Sequence, residues 1–240
     1  MVCLVEAKVL ISEGDKRTFR IDGQLAVLFA AIAGALNAAG FQAAGFFSAN
    51  MTGNTSSFSD HMALGDWPMA GLFALFILAF ILGAMVSGLL IQWGGARQSR
   101  AKYAYGIVLE GLVVLTLGGA DLLQLLPMHG LILGLSFAMG IQNAATTRIS
   151  NARVRTTHVS GMATDIGLGL ADLIDPGARD AETRARLKLY SMTMAAFVLG
   201  GIFGVAAYLT TGGLLFVGMG LLLLVVALLR AFRSTVSRFF

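Results

Sequence analysis

The chain has 240 residues, of which 57% are hydrophobic and only 12% charged, and its mean hydropathy is +0.79. A soluble domain carries about 25% charged residues, so a chain with half that share cannot solvate its surface with charge, and an integral membrane protein is expected. The net charge of +4 does not point to nucleic acid, because the bases are scattered between apolar spans rather than interleaved with aromatic residues on one face. The single cysteine, Cys3, excludes an internal disulfide and any cysteine-cluster metal site.

Residues 1–24 have no basic stretch ahead of an apolar core, so they read as a cytoplasmic tail and not as a cleaved leader. Six apolar spans follow, near Leu25–Phe47, Met69–Trp93, Ala104–Leu126, Gly130–Thr147, Leu189–Thr210 and Gly213–Arg230. Each has the length that a hydrocarbon core of about 30 Å requires. Each is too long and too evenly apolar for a barrel strand, so all are expected to be helices. The 17 basic residues fall before span one, between spans two and three, between spans four and five, and after span six. Six spans place every one of them on the same side, and the positive-inside rule then puts both termini in the cytoplasm.

The chain also resembles itself. "AGALNAA" at Ala33–Ala39 matches "AMGIQNAA" at Ala138–Ala145, Asn50–Gly53 matches His158–Gly161, and "FILGAMVSG" at Phe80–Gly88 matches "FVLGGIFG" at Phe197–Gly204. The order is kept, with offsets of 106, 108 and 117. The expected fold is therefore an all-α polytopic membrane protein of two three-helix repeats, residues 25–127 and 128–232, with a cytoplasmic loop at 148–188 and a tail at 233–240. Three spans are an odd number, so the second repeat enters the membrane inverted. Inverted repeats are typical of secondary transporters, whose sites lie at mid-depth on interrupted helices.

The polar residues set into this apolar chain are the candidate site. Asn37 and Asn143 lie inside spans one and four, where lipid satisfies none of their donors and acceptors. They read either as glue between helices or as lining of a solute path. Asn50, Thr52, Gly53, Asn54 and Thr55 form either a capped turn or a re-entrant helix. His158, Ser160, Gly161, Thr164 and Asp165 are their counterparts. The segment Gly161–Leu173 is apolar but too short to span, which favours a re-entrant or interfacial helix. Glu110, six residues into span three and thus about 9 Å deep, reads as a snorkelling carboxylate or as a proton- or ion-coupling group. Gly83 with Ser87, and Gly200 with Gly204, read as helix-packing positions. The charged stretch Asp175–Lys188 is expected to begin a helix after Pro176. No metal is implied, because His61, His129 and His158 lack ligand spacing, and no cofactor is expected.

"ALNAAGFQAAGFFSANMTGNTSSF" resembles the signature of the YoaK-like bacterial six-helix membrane proteins, a polar-interrupted first helix followed by A-N-M-T-G-N. "THVSGMATDIG" is similar to the second-half motif of that family, with departures at Met162 and His158. The resemblance runs from Leu25 to Phe232. It implies residence in the bacterial inner membrane and names no reaction. The function expected is a passive or gradient-driven transporter or channel for a small solute, since no ATP-binding motif occurs. The alternative is a non-transporting membrane interaction or assembly protein. An enzyme is not expected, since neither G-x-S-x-G nor H-E-x-x-H is present. The expected partners are membrane lipid and a small molecule or ion, with no nucleic acid and with a homo-oligomer left open.

Overall fold

The computed structural model describes Leu10 and residues 17–99, 101–175, 177 and 180–236. Cys3, Pro176 and residues 237–240 lie outside the described residues. Those described are all-α, with eight helices and no strand: α1 Phe19–Ala44, α2 Met51–Ala63, α3 Trp67–Ala96, α4 Lys102–Leu122, α5 Met128–Ile149, α6 Val159–Ile174, α7 Ala181–Thr211 and α8 Leu214–Val236.

Local chemistry sets most of the boundaries. Thr18 opens α1 by accepting from Ile21 N, and Gly45, left-handed at φ 76°, closes it. Asp66 and Asp180 cap α3 and α7 by accepting from Met69 N and Thr183 N. Each cap satisfies one of the four amides that a helix start leaves orphaned. α4 stops at Leu122, although Leu123, Leu125 and Leu126 are apolar, because Gln124 turns left-handed at φ 53° ahead of Pro127.

Four helices are long and apolar enough to cross a membrane: α1, α3, α4 and α7. The described apolar part of α8, Leu214–Leu229, is shorter. α3 and α7 turn large apolar side chains outward, among them Leu75, Leu82, Leu89, Leu199, Ile202 and Phe203. Outward faces of this kind are compatible with a membrane protein. α1 and α5 instead bury most of their length.

Helix directions follow from which residues touch. α1 packs along α7, α3 along α5, and α4 against α8. Gly200 and Gly204 meet Ala31 and Ala35, so α1 and α7 run parallel. Gly111 meets Gly220 and Leu224 while Gly118 meets Gly213 and Val217, so α4 and α8 are antiparallel. Gly40 meets Ile132 and Leu135, and Gln142 reaches Phe29 O, so α1 and α5 are antiparallel. The six long helices thus alternate in direction. We call the end at which α1 begins the near end and the other the far end.

Two crossings are built alike. A Cβ at Gly34 would lie 2.0 Å from Phe197 O on α7, and one at Gly140 would lie 2.0 Å from Phe80 O on α3. Gly200 meets Ala31 O at 2.1 Å, and Gly83 meets Phe137 O at 2.0 Å. The backbones therefore touch without side chains between them, which accounts for glycine at these four positions.

Candidate functional site

Asn37 sits seven residues before the end of α1 at Ala44, about 10 Å back along the axis. Its Oδ1 accepts from Ala49 N at 2.8 Å in a buried contact. The chain leaving α1 at the far end therefore turns back into the bundle before α2 begins. There Asn50 caps α2 through Gly53 N at 3.0 Å. The second half repeats the arrangement: Thr157 Oγ1 donates to Asn143 Oδ1 at 2.9 Å, one residue before His158, the N-cap of α6.

Glycine serves the same purpose in both caps. A Cβ at Gly53 would lie 2.4 Å from Asn50 Nδ2, and one at Gly161 would lie 2.4 Å from the His158 ring. The cap side chain folds over the glycine in each case. His158 makes no side-chain cap bond and instead meets Arg155 Nη1 at 3.3 Å.

The heights of the two caps follow from the contacts between α1 and α5. Gln142 lies level with Phe29 and Gly40 with Ile132 and Leu135, so Asn143 in the antiparallel α5 lies near residues 28–30 of α1. Asn37 is seven to nine residues further along, which places the two turned-back segments about 10–14 Å apart in height, one on each side of mid-bundle. A hydrocarbon core is about 30 Å thick. Neither motif is a turn at the end of the bundle.

The motif residues are not all drawn inward. Asn54 is buried and donates to Phe47 O at 3.2 Å. Thr52 and Thr55 are exposed on α2 together with Ser56 and Ser59. Thr55, Ser56 and Ser59 donate to the carbonyls of Met51, Thr52 and Thr55. On α6, Ser160, Thr164 and Asp165 are exposed, and Thr164 donates to Ser160 O. Met162, where the first half has Asn54, is buried. His61, His129 and His158 occupy three different settings: His61 pairs with Asp66, His129 packs on Phe46, and His158 caps α6.

Glu110 is fully buried, and neither carboxylate oxygen has a hydrogen-bond partner. It does not snorkel. α4 begins at Lys102, eight residues before it, so Glu110 is about 12 Å along the helix, deeper than the sequence reading placed it. One turn earlier, Gly106 faces Ser87 Oγ and Ile141, and two turns later Leu117 packs on Gly134. Those contacts set Glu110 against α3 and α5. Ser87 Oγ is also buried without a partner.

Two polar features escaped the sequence reading. Gln142 donates to Phe29 O at 3.0 Å and to Thr156 Oγ1 at 3.1 Å. It stands beside Asn143 in the same apolar span, and the reasoning that singled out Asn143 applies to it equally. The other is Asp22, 1% exposed, which accepts from Arg17 Nε at 2.5 Å and from Arg153 Nε at 2.8 Å. Its charge lay in a stretch read only as a tail.

Residues 25–229 match the family model DUF1275, described as a protein of unknown function. The chain belongs to the DUF1275 family. No curated protein and no solved structure matches the chain. The matched DUF1275 region contains Asn37, Asn143, Glu110 and both turned-back segments, but leaves out Asp22 and Arg17.

Proposed function

We propose that this DUF1275 protein is a YoaK-like, six-span protein of the bacterial inner membrane with both termini in the cytoplasm. In this reading it is built of two inverted repeats and carries a small solute passively or down a gradient. It performs no enzymatic reaction. The observation that carries the reading is the matched pair of bonds, Ala49 N to Asn37 and Thr157 Oγ1 to Asn143. They hold two short helices with their N-termini at mid-bundle, entering from opposite ends. α2 and α6, with 13 and 16 residues, are about 20 and 24 Å long and reach from there to opposite ends. Interrupted helices with ends at mid-depth are how inverted-repeat transporters present backbone dipoles to a solute. The glycine crossings at Gly34 and Gly140 share the 106-residue offset of the two asparagines, which supports the repeat.

In this reading Asn50, Thr52, Gly53, Asn54 and Thr55 line one half of the path, and His158, Ser160, Gly161, Thr164 and Asp165 the other. Asn37 and Asn143 position these segments. Glu110 couples a proton or ion, because a carboxylate without a partner in a dry interior requires a proton or cation beside it. The test is reconstitution into liposomes, with light scattering to follow entry of glycerol, urea and ammonium formate. Entry of at least one probe above protein-free vesicles, altered by Glu110→Gln in a folded protein, is expected. Folded protein that passes none of them removes the transport reading.

A second reading is favoured by one observation. Thr52, Thr55, Ser56 and Ser59 form an exposed hydroxyl stripe on α2, which suits contact with another membrane helix. A non-transporting interaction or assembly protein predicts that mutating this stripe weakens association and leaves solute entry at background.

A further inference from the structure

The two ends of the bundle are closed by unlike chemistry at matching places. At the near end, Asp22 in the first turn of α1 holds two arginines, one on each oxygen. Arg17 comes from the segment before α1 and also donates to Ile21 O at 3.3 Å. Arg153 comes from the segment that leads into α6 and is 32% exposed. At the far end, Phe46 lies in the corresponding segment, which leads into α2. Its ring packs on His129, Phe73 and Phe76 at 5.7, 5.6 and 5.5 Å. By the repeat offsets of 106–108, Arg153 corresponds to Phe46, and Asp22 to Met128, the neighbour of His129.

The near-end contact is held under strain. Asn151 and Ala152, just before Arg153, are both left-handed at φ 51° and 63°. Asparagine adopts this conformation readily at a helix end, but for Ala152 it costs of order 1–3 kcal/mol and persists only where surrounding contacts over-determine it. The matching turn of the first half uses Gly45 at φ 76°, where no such cost arises. The rest of the Arg153 segment is seated on α5 by Val154 N to Ser150 Oγ and Thr157 Oγ1 to Asn143. Asp22 adds a direct tie to α1, beside the indirect one in which Gln142 bridges Thr156 and Phe29 O.

We propose that the Asp22–Arg153 pair is the latch of a gate at the near end, and that the far end closes through the Phe46 ring cluster, beside which the His61–Asp66 pair joins α2 to the start of α3 and does not hold the Phe46 segment. The proposal rests on the transport reading for its purpose, but not for its test. Water reaching the pair solvates both charges and lets the Arg153 segment leave α1, carrying the start of α6 with it. A ring cluster gains little from water, so the two ends respond differently to loss of charge.

Thr156 and Ser48 are matching positions, both fully buried, one behind each closure. In a Cys3→Ser background, the thiols of Thr156→Cys and Ser48→Cys are reacted with a membrane-impermeant maleimide in vesicles of each orientation. Arg153→Gln is the informative variant, because Arg17 keeps its bond to Asp22 and no buried charge is stranded. It is expected to speed labelling of Thr156→Cys about tenfold, the effect of losing one charge-assisted hydrogen bond, and to leave Ser48→Cys unchanged. Arg153→Lys, which keeps the charge, is expected to label within about twofold of the parent. An unchanged rate at Thr156→Cys, equal acceleration at both thiols, or acceleration by Arg153→Lys equal to that by Arg153→Gln would overturn the latch. Solute entry is read separately: faster labelling without entry keeps the latch and removes transport, and entry without faster labelling does the reverse.

Discussion

The two asparagines do the same work with different donors, and that difference fixes an order of stabilities. Asn37 accepts from a backbone amide, Ala49 N, at 2.8 Å, with both residues buried at 7% and 6% exposure. Asn37→Ala strands that amide, which cannot rotate toward another acceptor. A buried donor left unsatisfied costs about 1–3 kcal/mol. Replacing a mid-helix asparagine by alanine returns up to about 0.7 kcal/mol of helix propensity, so a net loss of about 0.5–2 kcal/mol is expected. Asn143 accepts instead from the Thr157 hydroxyl at 2.9 Å, in a residue only half-buried. That hydroxyl turns about its own C–O bond, and hydrogen bonds between membrane helices average only about 0.6 kcal/mol. The propensity gain cancels this, so Asn143→Ala is expected to be close to neutral. Equilibrium unfolding in detergent micelles measures both, and hydrogen exchange at Ala49 reports the stranded amide directly. If Asn143→Ala proves as costly as Asn37→Ala, or Ala49 exchanges no faster in Asn37→Ala, the reasoning fails.

Glycine substitutions should separate packing from backbone freedom. Gly34→Ala and Gly140→Ala each place a methyl 2.0 Å from a carbonyl oxygen of the facing helix, and overpacking of that kind is expected to cost about 1–3 kcal/mol or more. Gly71→Ala and Gly218→Ala meet nothing within 4 Å and should stabilise by about 0.4–1 kcal/mol; thermal unfolding of the four variants checks the contrast. Asp180 titrates low because its carboxylate accepts from Thr183 N at the start of α7. A lowered folded value means that its contribution is present above the unfolded carboxylate range and is lost as pH falls through the folded value. Protection of the first amides of α7, taken as the exchange rate relative to the intrinsic rate at each pH, should therefore fall on acidification in the parent chain and stay constant across that range in Asp180→Asn.

The sequence made the long helices legible because their signal is local. Span two was expected at Met69–Trp93 and is α3 at Trp67–Ala96; span four was expected at Gly130–Thr147 and is α5 at Met128–Ile149. The errors are local as well. Hydropathy began span five only at Leu189, because two charged turns capped by Asp180 bury little apolar surface, whereas the helix expected after Pro176 is found from Ala181. It also carried span three through Leu126, where Gln124 had already broken the helix. The short polar helices were legible only as alternatives, since a capped turn and a helix start share the same Asn, Thr and Gly chemistry. The Asp22–Arg153 pair left no local trace, as its partners are 131 residues apart and only the fold brings them together.

What the two halves do not share says more about motion than what they share. In the first half of the chain the turned-back segment is tied twice within residues 25–127: Ala49 to Asn37 on α1, and Phe47 O to Asn54 on α2. The second half has Met162 where Asn54 would stand and so lacks the second tie. It compensates with Gln142, which takes the place of Leu36 and bonds Thr156, the counterpart of Ser48. Ser48 Oγ is buried without a partner, and Leu36, at the position corresponding to Gln142, carries no group that could bond it. Gln142 also donates across to Phe29 O on α1, and Arg153 reaches across to Asp22 on the same helix. The hydrogen bonds of the first segment thus lie within its own half, and it meets the other half through the Phe46–His129 ring contact. The second is held to both halves at once, so any displacement of α5 relative to α1 must break the bonds of Gln142 and Arg153 before it disturbs those of Asn37. Of the two short helices, α6 is the one whose polar ties span both halves, whereas the α2 segment meets the other half through rings.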